Sequence, residues 1–341
     1  MIKRIRTLLT HKIESMPVLV LMPHSRCNCR CVMCDIWKAN AEKKEISTDD
    51  LQKHIQSFQQ LGVKRVALSG GEALMHSNLW VFCDSLRKIG IKISLLSTGV
   101  TLKNHALNVI QYCDDVIVSL DGSPAIHNQI RNIPNAFEKL AEGVRALKEI
   151  DPSFKITGRT VLQKSNFRDF DGILKTAYEL GLKEISFLPA DVSSSAFNRA
   201  DPWQQERVEQ VALDLTEVEE LEKIIRDSIT KFEDFYINGF IAEGPQKMLQ
   251  IPQHYKAVLG QADYPPTKCN APWVSAVVES NGDVLPCFFH KAYGNIHQNN
   301  FSDIINSEKA IQFRKQLDIS KNEICQKCVC ALHIPFYRSV N

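Results

Sequence analysis

Cys27, Cys31 and Cys34 stand in the spacing C-x3-C-x2-C, directly after an apolar run that reads as a β-strand. Three thiolates this close along a chain can bind one 4Fe–4S cube and leave its fourth iron without a protein ligand, because soft sulfur donors suit iron–sulfur clusters. An open position at that iron implies exchangeable chemistry. A zinc knuckle with a distant fourth ligand is the structural alternative, although zinc sites favour paired C-x2-C units. Cys29 lies between the ligands and reads as a bystander. A second set lies more than 200 residues downstream: Cys269 and Cys287, then Cys325 and Cys328 as a C-x2-C pair, with Cys330 beyond. Asn281-Gly282, a strong hairpin signal, folds the chain between Cys269 and Cys287, so that their sulfurs can approach. Four such thiolates would fully ligate one cluster, or one structural zinc. Cys83 and Cys113 fall on helical patterns and read as buried structural thiols.

The rest of the composition is ordinary for a globular protein: 44% of the 341 residues are hydrophobic and 23% charged. Basic residues number 41 against 39 acidic, a net charge of +2, which argues against a nucleic-acid partner. No apolar run approaches the ~20 residues of a membrane span. The basic-then-apolar stretch 1–10 lacks the long apolar region and cleavage site of a signal peptide and reads as a short amphipathic surface helix. A cytoplasmic location is the resulting expectation. Disulfides are rare there, so clustered thiols read as ligands rather than crosslinks.

The thiols need a frame, and the chain supplies one. Strand-like runs at 17–22, 65–69, 92–97, 115–120, 155–161 and 184–188 alternate with amphipathic stretches at 49–61, 78–89, 102–112, 136–150 and 169–180. Ser47 or Thr48 caps the first stretch, and Gly62, Gly90 and Gly181 follow three of them. Such alternation predicts βαβ units and a parallel sheet, either an open doubly wound sheet or a partial barrel. In both, chemistry sits beyond the carboxyl ends of the strands. After Pro189 the alternation stops. A polar loop at 191–205, a charged helix at 215–232, a weaker helix at 239–249 and a connector at 261–267 lead to a hairpin of 273–279 and 283–287.

These motifs together resemble the radical S-adenosylmethionine enzymes. The cysteine motif follows the first strand; Ser69-Gly70-Gly71-Glu72 ends the second, Ser97-Thr98-Gly99 the third and Ser119-Leu120-Asp121-Gly122 the fourth. His127, Asn128, Ile130 and Arg131 then follow in a pattern common in that family. The resemblance covers the first two-thirds of the chain. It implies an α/β fold, a partial (β/α)6 TIM-like barrel. It also implies a 4Fe–4S cluster on Cys27, Cys31 and Cys34, whose open iron takes S-adenosylmethionine. Contacts to that molecule are expected from Gly70, Gly71, Glu72, Thr98, Ser119, Asp121 and Arg159. Glu72 is expected to face the methionine ammonium, Ser119 the carboxylate or ribose, and Arg159 the carboxylate. Met33 stands where the family often has an aromatic residue, and Ala73 where proline often follows the glycine pair and glutamate; neither removes a ligand.

The second set resembles the twitch form of the SPASM extension, which implies an auxiliary 4Fe–4S cluster on Cys269, Cys287, Cys325 and Cys328. A full SPASM domain continues with further cysteines, and here only Cys330 follows, so one auxiliary cluster is expected. The expected division is an N-terminal segment 1–16, a barrel core 17–190, a helical connector 191–260 and an auxiliary-cluster domain 261–341. The resemblance implies a one-electron donor such as flavodoxin or ferredoxin. The expected substrate is a small-molecule, sugar- or nucleoside-like biosynthetic intermediate. The alternatives are a ribosomally made peptide or a non-catalytic iron–sulfur or zinc protein. With 16 residues before the first strand, a peptide-recognition domain is expected to be absent or supplied in trans. Residues 191–199, Trp273 and His290 are candidate substrate contacts, although Trp273 reads more readily as core and His290 as a solvated loop residue.

Overall fold

A computed structural model of the chain describes residues 2–335. Helix α1 (Ile2–Thr10) precedes six strands: β1 (Val18–Leu21), β2 (Arg65–Leu68), β3 (Lys92–Ser97), β4 (Asp115–Ser119), β5 (Lys155–Leu162) and β6 (Ile185–Pro189). Between them run α2 (Thr48–Gln60), α3 (Leu79–Lys88), α4 (Ala106–Tyr112), α5 (Pro124–Arg131), α6 (Ala136–Ile150) and α7 (Phe170–Glu179). The local chemistry explains the helix ends. At α2, the Ser47 hydroxyl accepts from Asp50 N at 3.1 Å while the Asp50 side chain accepts from Ser47 N, a reciprocal cap that satisfies two otherwise orphaned donors. Gly62 then stops the helix at φ +65, a conformation that costs glycine nothing.

The strands pair in the order β6-β5-β4-β3-β2-β1, all parallel. Each βα unit therefore steps one strand sideways in the same direction. A doubly wound sheet reverses its strand order at a switch point; this one does not, and the fold is an open partial barrel. Along β1, β2 and β4 fully buried residues alternate with half-buried ones. Leu19, Leu21, Val66, Leu68, Val116 and Val118 pack within the hydrophobic core. The opposite face carries Ser94 and Asp115, which the Arg65 Nη1 ties together at 2.6 Å each.

Beyond β6, helices α8 (Gln205–Val211) and α9 (Leu215–Lys231) follow. The helix expected over 239–249 is not there. Gly239 turns the chain at φ +76, Pro245 starts a single turn, and the longer helix runs Gln250–Val258. The expected hairpin forms from β7 (Ser275–Val278) and β8 (Asp283–Leu285), with Gly282 at φ +87. Its first strand starts late because Pro272 opens a helical turn at Ala271–Val274. A short β9 (Gly294–Asn295) extends it. Strand β7 pairs in parallel with β1, Val18 opposite Ser275 and Leu21 opposite Val278. The extension is thus not a detached layer: one nine-stranded sheet runs from β6 to β9. Among the described residues no helix is long and apolar enough to cross a membrane.

Candidate functional site

The loop after β1 carries the first cysteine set, and three contacts shape it. Arg26 O accepts from Glu72 N at 2.9 Å; Arg30 N and Val32 N donate to Arg131 O and Ile130 O at 3.0 and 3.1 Å. The loop is therefore pinned between the β2 end and the last turn of α5. Gly71 is required by the first of these contacts: a Cβ there would fall on the Arg26 carbonyl. Gly70, at φ +115, packs a hypothetical Cβ 3.0 Å from His24 O.

At the carboxyl ends of the strands lies a cavity of about 280 Å³. Cys27, Cys31 and Cys34 line it, with Met33 beside them. Of the residues expected to contact S-adenosylmethionine, Gly70, Gly71, Thr98, Ser119, Asp121 and Arg159 all line the same cavity. Ser119 and Arg159 are register partners on β4 and β5, and Arg159 Nε donates to Ser186 Oγ at 3.2 Å.

Glu72 departs from its expected place. It is fully buried behind the wall, not on it. Its carboxylate accepts from Thr98 N at 2.7 Å, Thr98 Oγ1 at 2.6 Å, Ser97 Oγ at 3.0 Å and Leu74 N at 3.2 Å. Burial pushes its pKa up while these donors pull it down. In this geometry it holds Thr98 at the wall. Cys29, read as a bystander, is also buried, and its thiol hydrogen-bonds to Cys31. That bond, followed by the charge of Arg131, brings the Cys31 thiol down to about 7. Burial instead pushes Cys27 up to about 12 and Cys34 up to about 11.

Arg131, part of the noted motif without an assigned role, donates from Nη1 to Cys31 Sγ at 3.4 Å and forms an ion pair with Asp121. Asp121 Oδ1 also accepts from Val161 N at 3.1 Å. Both side chains are buried, at 7% and 0% exposure.

The polar loop at 191–205 proves to be a strap across the cavity. Trp203 Nε1 donates to Asp35 Oδ2 at 2.6 Å, and Asn198 Nδ2 to Asp35 O at 3.3 Å, tying the strap to the residue after Cys34. Phe197 stacks on Phe288 at 6.4 Å, next to Cys287. Arg199 pairs with Asp191 at 2.9 Å and lies over the Trp203 ring at 3.9 Å. Phe197 and Asn198 hold positive φ, +60 and +64, a strained pair sustained by these contacts.

The second cysteine set is assembled by Asn270. Its side chain bonds in both directions to Ile334 at 2.8 and 2.9 Å, and its N–H donates to Leu332 O at 2.8 Å. The segment after Cys330 is thereby laid against Cys269. The sulfurs of Cys269, Cys287, Cys325 and Cys328 lie within electrostatic reach of one another; burial, then their mutual charges, push Cys287 and Cys325 up to about 12. Cys328 accepts from the Cys330 thiol, which lowers it, and Cys330 also reaches the cavity wall, with Phe288 and Val329. His290 was expected in solvent; it is 7% exposed, its Nε2 is 3.4 Å from Cys325 Sγ, and Phe313 meets its ring. Trp273 is core, as expected. Neither the Arg131 nor the His290 contact leaves a sequence signal, because each partner is far along the chain.

Both sets suit an iron–sulfur cube. The donors are soft, and Cys27, Cys31 and Cys34 line one cavity. Arg26 Nε, Asn28 Nδ2 and Arg131 Nε are buried around the first set with no hydrogen-bond partner, donors that an anionic group would satisfy.

Residues 21–177 match the family model described as the radical SAM superfamily, and residues 269–329 the SPASM iron–sulfur cluster-binding domain. The chain is 26% identical to the AdoMet-dependent heme synthase of Methanosarcina barkeri, over 89% of this chain and 87% of that one. It is 23% identical to AlbA of Bacillus subtilis, an antilisterial bacteriocin subtilosin biosynthesis protein, over 89% of this chain and 63% of that one. In fold it is similar to Streptococcus suis SuiB, solved bound to precursor peptide SuiA, with a TM-score of 0.67 at 15% identity, covering 96% of this chain and 74% of that one.

Proposed function

The chain belongs to the radical S-adenosylmethionine superfamily and carries a SPASM iron–sulfur domain, and from that premise we propose that it abstracts a hydrogen from a small-molecule biosynthetic intermediate. When bound, the first cluster and S-adenosylmethionine supply a reductively generated 5′-deoxyadenosyl radical; the protein orients it. Cys27, Cys31 and Cys34 would hold the first cluster, and Cys269, Cys287, Cys325 and Cys328 the second. Gly70 and Gly71 keep the wall thin, Thr98 is presented by Glu72, and Ser119 and Arg159 offer a hydroxyl and a guanidinium to the carboxylate or ribose. The strap 191–203 covers the chamber and keeps water from a reactive centre. An external one-electron donor such as flavodoxin or ferredoxin would supply the reducing equivalent.

One observation carries the reading. Cys27, Cys31 and Cys34 share one cavity with Phe288, Val329 and Cys330, so a small substrate held against the first set also lies near the second. The long match to the heme synthase, a small-molecule enzyme by its name, points the same way. A peptide substrate is the second reading, favoured by the fold shared with peptide-bound SuiB and by the match to AlbA.

The test uses anaerobically reconstituted protein with S-adenosylmethionine and a reductant. The expected result is 5′-deoxyadenosine, abolished in Cys31→Ala. Extract from cells grown in heavy water is then split into metabolite and peptide fractions. Deuterium appearing in 5′-deoxyadenosine from the metabolite fraction supports the small-molecule reading; deuterium from the peptide fraction alone replaces it with the second.

A further inference from the structure

Arg131 closes α5 and touches the cysteine loop twice, 100 residues away in sequence at Cys31. Its carbonyl oxygen holds Arg30 N at 3.0 Å, and its Nη1 donates to Cys31 Sγ at 3.4 Å. The side chain is 7% exposed, and its one carboxylate partner, Asp121, is 0% exposed. Asp121 is in turn held by Val161 N on β5 and lies against His127, whose Nδ1 accepts from Asp121 N at 3.2 Å. The guanidinium is thus fixed from α5, β5 and the cysteine loop together, and it cannot lose its charge by deprotonation.

We propose that Arg131 is a positioning residue that sets the reduction potential of the first cluster through a charge-assisted hydrogen bond to the Cys31 sulfur. The physical basis is general. Reduction adds a negative charge to a cluster, and hydrogen bonds to its sulfurs together with nearby positive charge stabilise the reduced form. Water is displaced at this depth, so the cation acts with little screening. The three thiols of the set are not equivalent. Only Cys31 receives the arginine bond. Asp121 opposes the effect by partly neutralising the guanidinium. Removing Arg131 and removing the Asp121 charge therefore move the potential in opposite directions, a pairing that a purely structural role would not produce.

The inference rests on Cys31 holding the first cluster. If Cys31→Ala retains both clusters in full, that reading fails, whatever Arg131 does. The direct test follows the electron paramagnetic resonance component that responds to S-adenosylmethionine and vanishes in Cys27→Ala. In Arg131→Gln the reduced-to-oxidised ratio of this cluster at a fixed potential should fall at least tenfold, about 59 mV for one electron. Arg131→Lys, which keeps the cation, should restore most of that shift. An unchanged midpoint in Arg131→Gln overturns the proposal. Should Arg131→Gln not load the first cluster, Asp121→Asn must raise the midpoint, and no rise overturns it equally. Native holoenzyme carrying nitrogen-15 arginine supplies a readout without any substitution. Pulsed resonance of the reduced cluster, before S-adenosylmethionine is added, should detect a weakly coupled nitrogen-15 that disappears in Arg131→Lys; its absence from the native protein also overturns the assignment.

Discussion

The imidazole of His290 meets the sulfur of Cys325, Nε2 to Sγ at 3.4 Å, in a pocket closed by the edge of Phe313. Burial lowers the histidine's pKa, which favours the neutral ring, and a proton on Nε2 would be donated to the sulfur. The prediction is that His290→Phe lowers the midpoint of the second cluster while leaving the first unmoved. His290→Gln, which keeps an N–H, should hold it close to native. A tenfold change in the reduced-to-oxidised ratio, about 59 mV, is the expected size. Potentiometric titration reads it, and equal midpoints in His290→Phe and native protein would falsify the role.

Gly71 tests how the first cysteine loop is held. A Cβ there meets the Arg26 carbonyl and the Cys27 side chain, and neither backbone can give way without moving Cys27. Gly71→Ala is expected to cost about 1–3 kcal/mol and to lose first-cluster iron while the second cluster stays loaded. Iron content, with the S-adenosylmethionine-dependent resonance signal, checks this; full native loading of both clusters rules it out.

Trp203→Phe keeps the ring beneath Arg199 but removes the indole donor from Asp35. Loss of this part-buried hydrogen bond to a carboxylate is expected to cost about 1–3 kcal/mol, felt locally. Hydrogen exchange at 191–204 should quicken, and more of the 5′-deoxyadenosine should form without substrate turnover. Unaltered exchange and unaltered coupling count against the strap as a cover.

Much of this frame was readable from residue order. Six apolar runs separated by capped helices placed the barrel strands to within a residue or two, because period and punctuation are local properties. Cysteine spacing and Asn281-Gly282 marked both thiol sets for the same reason. What was not readable is non-local. The motif containing Arg131 was visible, but its contact with Cys31 depends on how α5 docks against the loop. Glu72 was expected to face the cavity, and only the burial of the β2 end turns it towards Thr98. The pairing of β7 with β1 spans most of the chain and has no periodic trace. The 239–249 stretch misled because its apolar residues have helical spacing, while Gly239 and Pro245 break it.

Acid should weaken the fold through His254. Burial pushes this imidazole from 6.5 down to about 4, with Asp191 pulling weakly the other way. A histidine whose folded pKa is depressed is held neutral, so the unfolded chain binds more protons in that window. Its contribution is complete above pH 6.5 and is lost as pH falls towards about 4. At about 1.4 kcal/mol per pH unit the gap amounts to about 3 kcal/mol. Anaerobic denaturant titrations from about pH 7 down to about pH 5 should show His254→Phe losing stability less steeply than native protein; parallel slopes refute it.

The parallel pairing of β7 with β1 has a mechanical consequence. The strand that launches Cys27 shares its hydrogen bonds with β2 on one edge and with the hairpin leading to Cys287 on the other. The two cysteine-bearing loops therefore leave from neighbouring strands of one ladder. With the proposed clusters in place, the span between them would be set by neighbouring strands of one sheet rather than by a hinge between separate lobes.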